Sequence, residues 1–229
     1  MDERIEEAAA IVKLSGIHKT FGEGGSRTRV LKGIDLSLAS GSLIMLKGRS
    51  GSGKTTLMNM IGGLDTPSEG EVIFAGQPLH ALSDSGRTKL RQAEVGFVFQ
   101  SYALHPLLSA EENVELSLRM AGWPPKQWAE RIKQCLESVG MSGRSLHRPG
   151  ELSGGEQQRV AIAKAIAPSP RLLLADEPTA ELDTAMSKRI MALFRQLQED
   201  GMTICMTTHD QNMLEVANEV YEMADGRLG

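Results

Sequence analysis

Cysteine, aromatic residues, surplus positive charge and long apolar runs are all scarce in this chain, and each shortage removes a class of protein. Only Cys135 and Cys205 occur in 229 residues. Without metal-like spacing or enough partners for a disulfide framework, they read as two reduced, buried thiols. Aromatics make up 4% of the chain, too few for the stacking platforms of single-strand nucleic-acid binders. Lys and Arg number 25 against 29 Asp and Glu, a net charge of -4, so a nucleic-acid backbone finds no basic counterpart and is not expected as a partner. No apolar run exceeds five residues, the length of Ala8 to Val12, whereas a bilayer-crossing helix needs about twenty. The N-terminus, MDERIEEAAA, is acidic where a secretory signal is basic. The expectation is a cytosolic protein with no transmembrane segment of its own.

What is present is ordinary globular material. Hydrophobic residues make up 41% and charged residues 24%, which suits one domain, or two lobes around a shared core. No internal repeat, low-complexity tract or long linker interrupts it, although Glu23 to Arg27 and Met141 to Ser145 read as exposed loops. Ala10 to Leu14 and Val30 to Leu38 mix β-branched and polar residues and predict a small N-terminal sheet. Leu43 to Leu46 reads as a buried strand and Lys54 to Ile61 as the helix after a glycine-rich turn. From about Tyr102 to Arg148 the pattern turns helical, with Trp128, Ile132, Cys135, Leu136 and Val139 on one face. A helix from about Ser153, a strand Leu172 to Ala175, a helix carrying Met186, Ile190, Leu193, Phe194 and Leu197, and a strand Met202 to Thr207 follow. This alternation predicts a parallel sheet covered on both faces.

Three motifs carry chemistry. In GRSGSGKT the backbone of Gly48, Arg49, Ser50, Gly51, Ser52 and Gly53 can curl so that successive N–H groups converge on phosphate oxygens. Lys54 adds charge toward the outer phosphates, Thr55 offers a hydroxyl to Mg²⁺, and Thr56 lies in the first turn of the following helix, whose dipole favours an anion. LLLADEP supplies a second half. Its apolar strand brings Asp176 out at the carboxyl end of the sheet as the candidate metal carboxylate, and Glu177 follows as the candidate that orients or deprotonates an attacking water. Asp176 and Glu177 ahead of Pro178 could also simply open a helix. The third motif, LSGGEQQR, contains a capping box, Ser153 with Glu156, that could begin any helix. Gly154 and Gly155 in a first turn each cost about 1 kcal/mol against alanine, and close approach of an anion to bare N–H groups is one reason to retain them.

In this order the three motifs resemble the nucleotide-binding subunit of an ATP-binding cassette (ABC) transporter, and the likeness runs from about Ile11 to Gly226. It implies a P-loop NTPase of ABC type with an α/β fold. A mostly parallel core sheet would carry an N-terminal antiparallel β subdomain and an inserted helical subdomain, within one domain (about 10–100 and 152–229 for the core, 101–151 for the helical part). It implies ATP and Mg²⁺ as ligands and two subunits paired head to tail around two ATP molecules. Ser153, Gly154, Gly155, Gln157 and Asp183 would then act in trans. Gln100 matches the glutamine that touches Mg²⁺ and relays to the membrane partner, His209 the histidine that contacts the γ-phosphate, and Phe21 the aromatic that stacks on adenine. GFVFQSYAL, SAEENVEL and GGLDTPSEG are similar to the branch of macrolide exporters, lipoprotein-release ATPases and antimicrobial-peptide resistance ATPases. By that resemblance a permease docks near Tyr102 to Glu112 and holds the subunit on the inner face of the membrane.

Two positions depart from the pattern. Glu181 stands where Asn or Ala is usual. At an effective dielectric near 20 and about 8 Å from the phosphates, it would oppose closure of the dimer by roughly 2 kcal/mol unless it has a partner. Lys164 stands where arginine is common. The reading is an ATP-hydrolysing subunit that powers a permease, an exporter or extractor of hydrophobic, lipid-linked or peptide substrates. A nucleotide-gated regulatory subunit that signals across the membrane without transport needs the same motifs. A DNA-repair or chromosome-organising ATPase would need a long coiled coil between Lys54 and Leu152, and that interval holds no sustained heptads.

Overall fold

The computed structural model describes residues 10–22, 27–208 and 216–229. Its first two strands, β1 (Ala10–Phe21) and β2 (Thr28–Ala39), form a long antiparallel ribbon whose register shifts at several bulges. β3 (Leu43–Lys47) leads through the glycine-rich turn into helix α1 (Lys54–Ile61). β4 (Glu69–Phe74) and β5 (Gln77–Pro78) then return to β1, giving an antiparallel sheet in the order β2-β1-β4-β5. After α2 (Asp84–Glu94) comes β6 (Val95–Val98), then α3 (Ala110–Met120), α4 (Trp128–Ser138) and α5 (Gly154–Ile166). β7 (Leu172–Asp176), α6 (Thr184–Glu199), β8 (Thr203–Thr207), β9 (Glu219–Ala224) and β10 (Arg227–Leu228) complete the chain. The second sheet runs β10-β9-β3-β8-β7-β6, parallel throughout except for β10 at its edge.

Because strand side chains alternate, each buried strand of the second sheet feeds two cores. Leu43, Met45, Leu173, Ala175, Ile204 and Met206 join an apolar cluster with Val114 of α3, Leu136 of α4, Val160 of α5 and Phe194 of α6. Ile44, Leu46, Leu172, Leu174 and Cys205 face the other way, toward Leu57 and Ile61 of α1 and toward Ile17, Leu31 and Ile34 of the antiparallel sheet. One face is therefore covered by helices and the other by the antiparallel sheet together with α1 and, packed against it, Leu90 of α2. Both cysteines are free and buried, and burial pushes the Cys205 thiol up to about 12 and the Cys135 thiol upward as well. The expected loop at Met141 to Ser145 is a tight 3-10 turn over Ser142–Arg144, and Met141 is fully buried in the helix-side core, so only part of it is surface. Of the loop expected at Glu23 to Arg27, residues 23–26 lie outside the described residues, and Arg27 is exposed.

The helical segment between β6 and α5 is tied to the rest by polar contacts as well as by its apolar face. Arg131 of α4 donates from Nε to the Ala167 carbonyl at 2.8 Å and from Nη2 to the Ile166 carbonyl at 2.8 Å and to Ser169 Oγ at 2.9 Å. A cation at the C-terminal end of α5 also complements its dipole. Trp123 donates its indole N–H to the Pro168 carbonyl at 3.2 Å, and the Arg131 guanidinium lies 5.8 Å from the Trp123 ring centroid. Arg131→Ala removes a charged donor from three acceptors, and we expect it to lower unfolding free energy by about 1.5–3 kcal/mol. Urea titration followed by far-UV circular dichroism checks this, and an unchanged midpoint would show the clamp to be dispensable.

Candidate functional site

The carboxyl ends of β3, β7 and β8 meet where the parallel sheet delivers ligands in open α/β folds. Leaving β3, the chain turns through Gly48 at φ 152°, where an added Cβ would stand 2.2 Å from the Met223 carbonyl oxygen. Only glycine allows the loop to lie this close to β9. Gly53 caps α1 with φ 105°, so the first-turn amides, which have no intrahelical acceptor, open toward the loop. Lys54 is buried and donates to the Gly48 carbonyl at 2.7 Å and the Arg49 carbonyl at 3.1 Å. Ser52 is also buried, and its Oγ has no hydrogen-bond partner. An orphaned buried hydroxyl beside the uncapped amides at the start of α1 fits an oxyanion ligand such as phosphate. Arg49, Ser50, Gly51 and Thr55 are exposed and Thr56 is half-buried.

Asp176 is the joint of the site. Its Oδ2 accepts the Thr55 hydroxyl at 2.8 Å, and its Oδ1 accepts the Thr207 hydroxyl at 2.6 Å. Thr207 Oγ1 in turn accepts the Glu177 backbone N–H at 2.9 Å. Glu177 has φ 49°, a left-handed conformation that is costly for a non-glycine residue and concentrates at functional sites. The oxygen donors of Thr55 and Asp176 are a hard set of the kind Mg²⁺ takes. Thr207 was not singled out in the sequence, where it was only the last residue of a strand, and no local pattern announces a partner 31 positions away.

The expected trans residues sit at two helix starts, those of α5 and α6. Ser153 caps α5 in a full capping box: its hydroxyl accepts the Glu156 N–H at 3.3 Å, and Glu156 Oε2 accepts the Ser153 N–H at 2.9 Å. The Ser153 N–H and hydroxyl, with Arg144 and Arg159 beyond them, hold the Glu156 carboxyl below its ordinary range. Gln157 donates to the Leu152 carbonyl at 3.1 Å, and Asp183 is the N-cap of α6, accepting the Met186 N–H at 2.9 Å. The two glycines have a reason within their own chain. A Cβ on Gly155 would stand 3.0 Å from the Glu181 carbonyl oxygen, and one on Gly154 would stand 3.0 Å from the Tyr102 hydroxyl and 3.6 Å from Glu181 Oε2. Packing within the chain is thus a demand on both glycines, whatever else they serve. The Glu181 carboxylate lies near the N-terminus of α5, a position where helix dipoles favour negative charge by about 0.3–1 kcal/mol. Burial, and then the charge of Glu181, push the Tyr102 hydroxyl above its ordinary value.

Phe21 ends β1 with 44% of its surface exposed, and the Lys19 ammonium lies 5.0 Å from its ring centroid. Gln100 is exposed just after β6, and His209 lies outside the described residues. Sequence reading noted Lys164 only as a departure from arginine. In the structure its Nζ donates to the Ala103 carbonyl at 2.6 Å, and burial pulls the ammonium below the ordinary lysine value.

Comparison with known proteins agrees with this geometry. A family described as ABC transporter matches residues 31–180. A macrolide export ATP-binding/permease protein MacB of Azoarcus sp. (strain BH72) is 44% identical over 95% of this chain, which spans only 33% of that protein's length. A lipoprotein-releasing system ATP-binding protein LolD of Syntrophotalea carbinolica is 40% identical, covering 98% of this chain and 99% of its own. The fold is also that of ATP-binding cassette MJ0796, solved as a dimer in a post-hydrolysis state bound to ADP and Pi. It has a TM-score of 0.91 and 40% identity, over 95% of this chain and 96% of that one.

The Thr207 hydroxyl is fully buried and serves two partners. Thr207→Val keeps its shape but strands the Glu177 N–H and one Asp176 oxygen, which should cost about 1–3 kcal/mol of stability. Chemical denaturation at neutral pH measures it, and a variant as stable as the parent would mean that water replaces the hydroxyl.

Proposed function

The chain belongs to the ABC transporter family, and on that premise we propose that it is the ATP-binding and ATP-hydrolysing subunit that drives a membrane permease. The observation that carries the reading is the Asp176 carboxylate, held between the Thr55 hydroxyl of the phosphate loop and the Thr207 hydroxyl of β8, with Glu177 next in sequence. Lys54 and the amides at the start of α1 bind the phosphate chain, and the unpartnered Ser52 hydroxyl completes the cradle. Thr55, Asp176 and Gln100 would hold Mg²⁺, which neutralises phosphate charge when bound. Glu177 orients the attacking water and takes its proton, and His209 contacts the γ-phosphate. Phe21 stacks on the adenine, an exposed aromatic able to exchange solvent for a base.

A second copy of the chain supplies Ser153, Gly154, Gly155, Gln157 and Asp183 across the interface, head to tail. The capping box leaves the α5 amides of Gly154 and Gly155 turned toward the outside of the helix end, which suits a phosphate held by the partner. Residues 10–100 and 152–229 act as the ATP-binding core, and 101–151 as the helical part that meets the permease. A groove of about 670 Å³ between α3 and α4, with Trp128, Ile132 and Leu136 among its lining residues, supports docking there. So do the exposed side chains of Leu107 and Leu146. No helix among the described residues is long and apolar enough to cross a membrane, which suits a subunit held at the cytoplasmic face by its permease. The names of the macrolide-export and lipoprotein-releasing relatives support an exporter or extractor of hydrophobic or lipid-linked substrates.

Glu177→Gln keeps the shape of the side chain and removes the base. Phosphate release should fall at least about 100-fold, in keeping with loss of a general base. ATP binding should persist, and the chain should accumulate as an ATP-bound dimer in size-exclusion chromatography with light scattering. Near-normal phosphate release from this variant would remove Glu177 from the catalytic role.

A further inference from the structure

The loop after β6 joins Gln100 to the helical segment, and its backbone is held in an unusual form. Tyr102 and Ala103 are consecutive non-glycine residues with positive φ, 62° and 51°, a conformation that persists only where surrounding contacts enforce it. The turn is closed internally by the Tyr102 N–H on the Phe99 carbonyl at 3.1 Å and the Ala103 N–H on the Ser101 carbonyl at 2.7 Å. Two of its outward contacts involve α5, while Leu104 packs against the helix-side core. Lys164, in the last turn of α5, donates to the Ala103 carbonyl at 2.6 Å. The Tyr102 hydroxyl meets Gly154, the first residue of α5, beside the Glu181 carboxylate. Ten residues of helix separate these points, about 15 Å along the axis. The turn therefore lies along α5 and is held near both ends.

We propose that Lys164 is a positioning residue whose hydrogen bond to Ala103 locks the turn at 101–104 onto α5, so that Gln100 and the Gly154 end of the helix move as one body. The inference rests on the ATPase reading above, in which Gln100 serves nucleotide bound to this chain and Gly154 serves nucleotide bound to a second copy. The lock makes the two half-sites of one chain answer to each other. A nucleotide that draws Gln100 inward also sets the pitch at which α5 meets the partner. The half-buried Lys164 stem fixes the ammonium in place, and its lowered proton affinity reflects that same burial. Tyr102 carries the other end of the lock, since its hydroxyl lies so close over Gly154 that an added Cβ there would stand 3.0 Å from it.

The test uses the Glu177→Gln chain, so that hydrolysis does not complicate binding. Adding Lys164→Met keeps most of the stem and removes the donor. The ATP concentration needed for half-maximal dimerisation should rise about tenfold. ATP affinity, measured at protein concentrations too dilute to dimerise, should stay within about twofold of the parent. Lys164→Arg, which can donate to the same carbonyl, should restore dimerisation. Ala103→Pro fixes φ at about −65° and so breaks the left-handed turn without touching the lysine, and should weaken dimerisation in the same direction; it decides the matter if Lys164→Met does not fold. Dimerisation equal to the parent in the folded variants overturns the proposal. A loss of ATP affinity matching the loss of dimerisation overturns it too, since Lys164 would then act on its own chain's nucleotide alone. If the Glu177→Gln parent neither binds ATP nor dimerises, it is the ATPase reading that fails.

Discussion

The two oxygens of Asp176 accept hydroxyls from different parts of the chain, Thr55 on α1 and Thr207 at the end of β8. One carboxylate thereby fixes the phosphate loop, the exit of β7 and the exit of β8 relative to one another. Each of those exits is anchored behind by residues that are buried on both faces of the sheet, so the anchor does not drift. The strain at Glu177 follows from this arrangement. Its N–H is committed to Thr207 while its backbone turns sharply away from the strand. A residue held in that way is confined to a narrow set of directions, which would suit the water-orienting role proposed for it.

The division of the sheet into two faces explains why the site has distinct halves. Residues facing α1 and the antiparallel sheet support the phosphate loop from beneath. Residues facing α3, α4, α5 and α6 support the helix that begins at Gly154. A change on one face reaches the other only through the strands or through surface loops. The turn at 101–104 is such a loop, because it starts at β6 in the sheet and ends against α5.

Local chemistry was legible in the sequence wherever it was local in space. The capping box of Ser153 and Glu156 spans three residues and formed as read. Lys54–Ile61 is a helix with the bounds read from its pattern, and the strand at Leu172 needed only Asp176 added. The antiparallel sheet was legible in outline, since bulges let β1 and β2 run further than their hydrophobic pattern suggests. α2 went unread because Leu90, packed against the core on the α1 side, is its one large apolar residue, and one residue makes no stripe. β9 went unread because a partly exposed edge region blurs its alternation. The Thr207 bridge and the Lys164 bond join positions 31 and 61 residues from their partners, and nothing in a single sequence marks such pairs.

Glu181 shows how a charge can change meaning once its surroundings are known. In sequence it is an uncompensated carboxylate near expected phosphates, and Coulomb repulsion alone would make it an obstacle. In the structure its carboxylate lies against the first residue of α5, whose amides carry partial positive charge, and its carbonyl oxygen packs against Gly155. The repulsion toward an incoming phosphate remains, and the carboxylate already lies beside the helix end that the phosphate would approach. Any anion arriving at Gly154 therefore competes with Glu181 for the same positive end, and closure of a dimer must include a shift of this carboxylate or a sharing of those amides. The side chain is thus part of the geometry of the helix end, and its cost is set by how far it has to move.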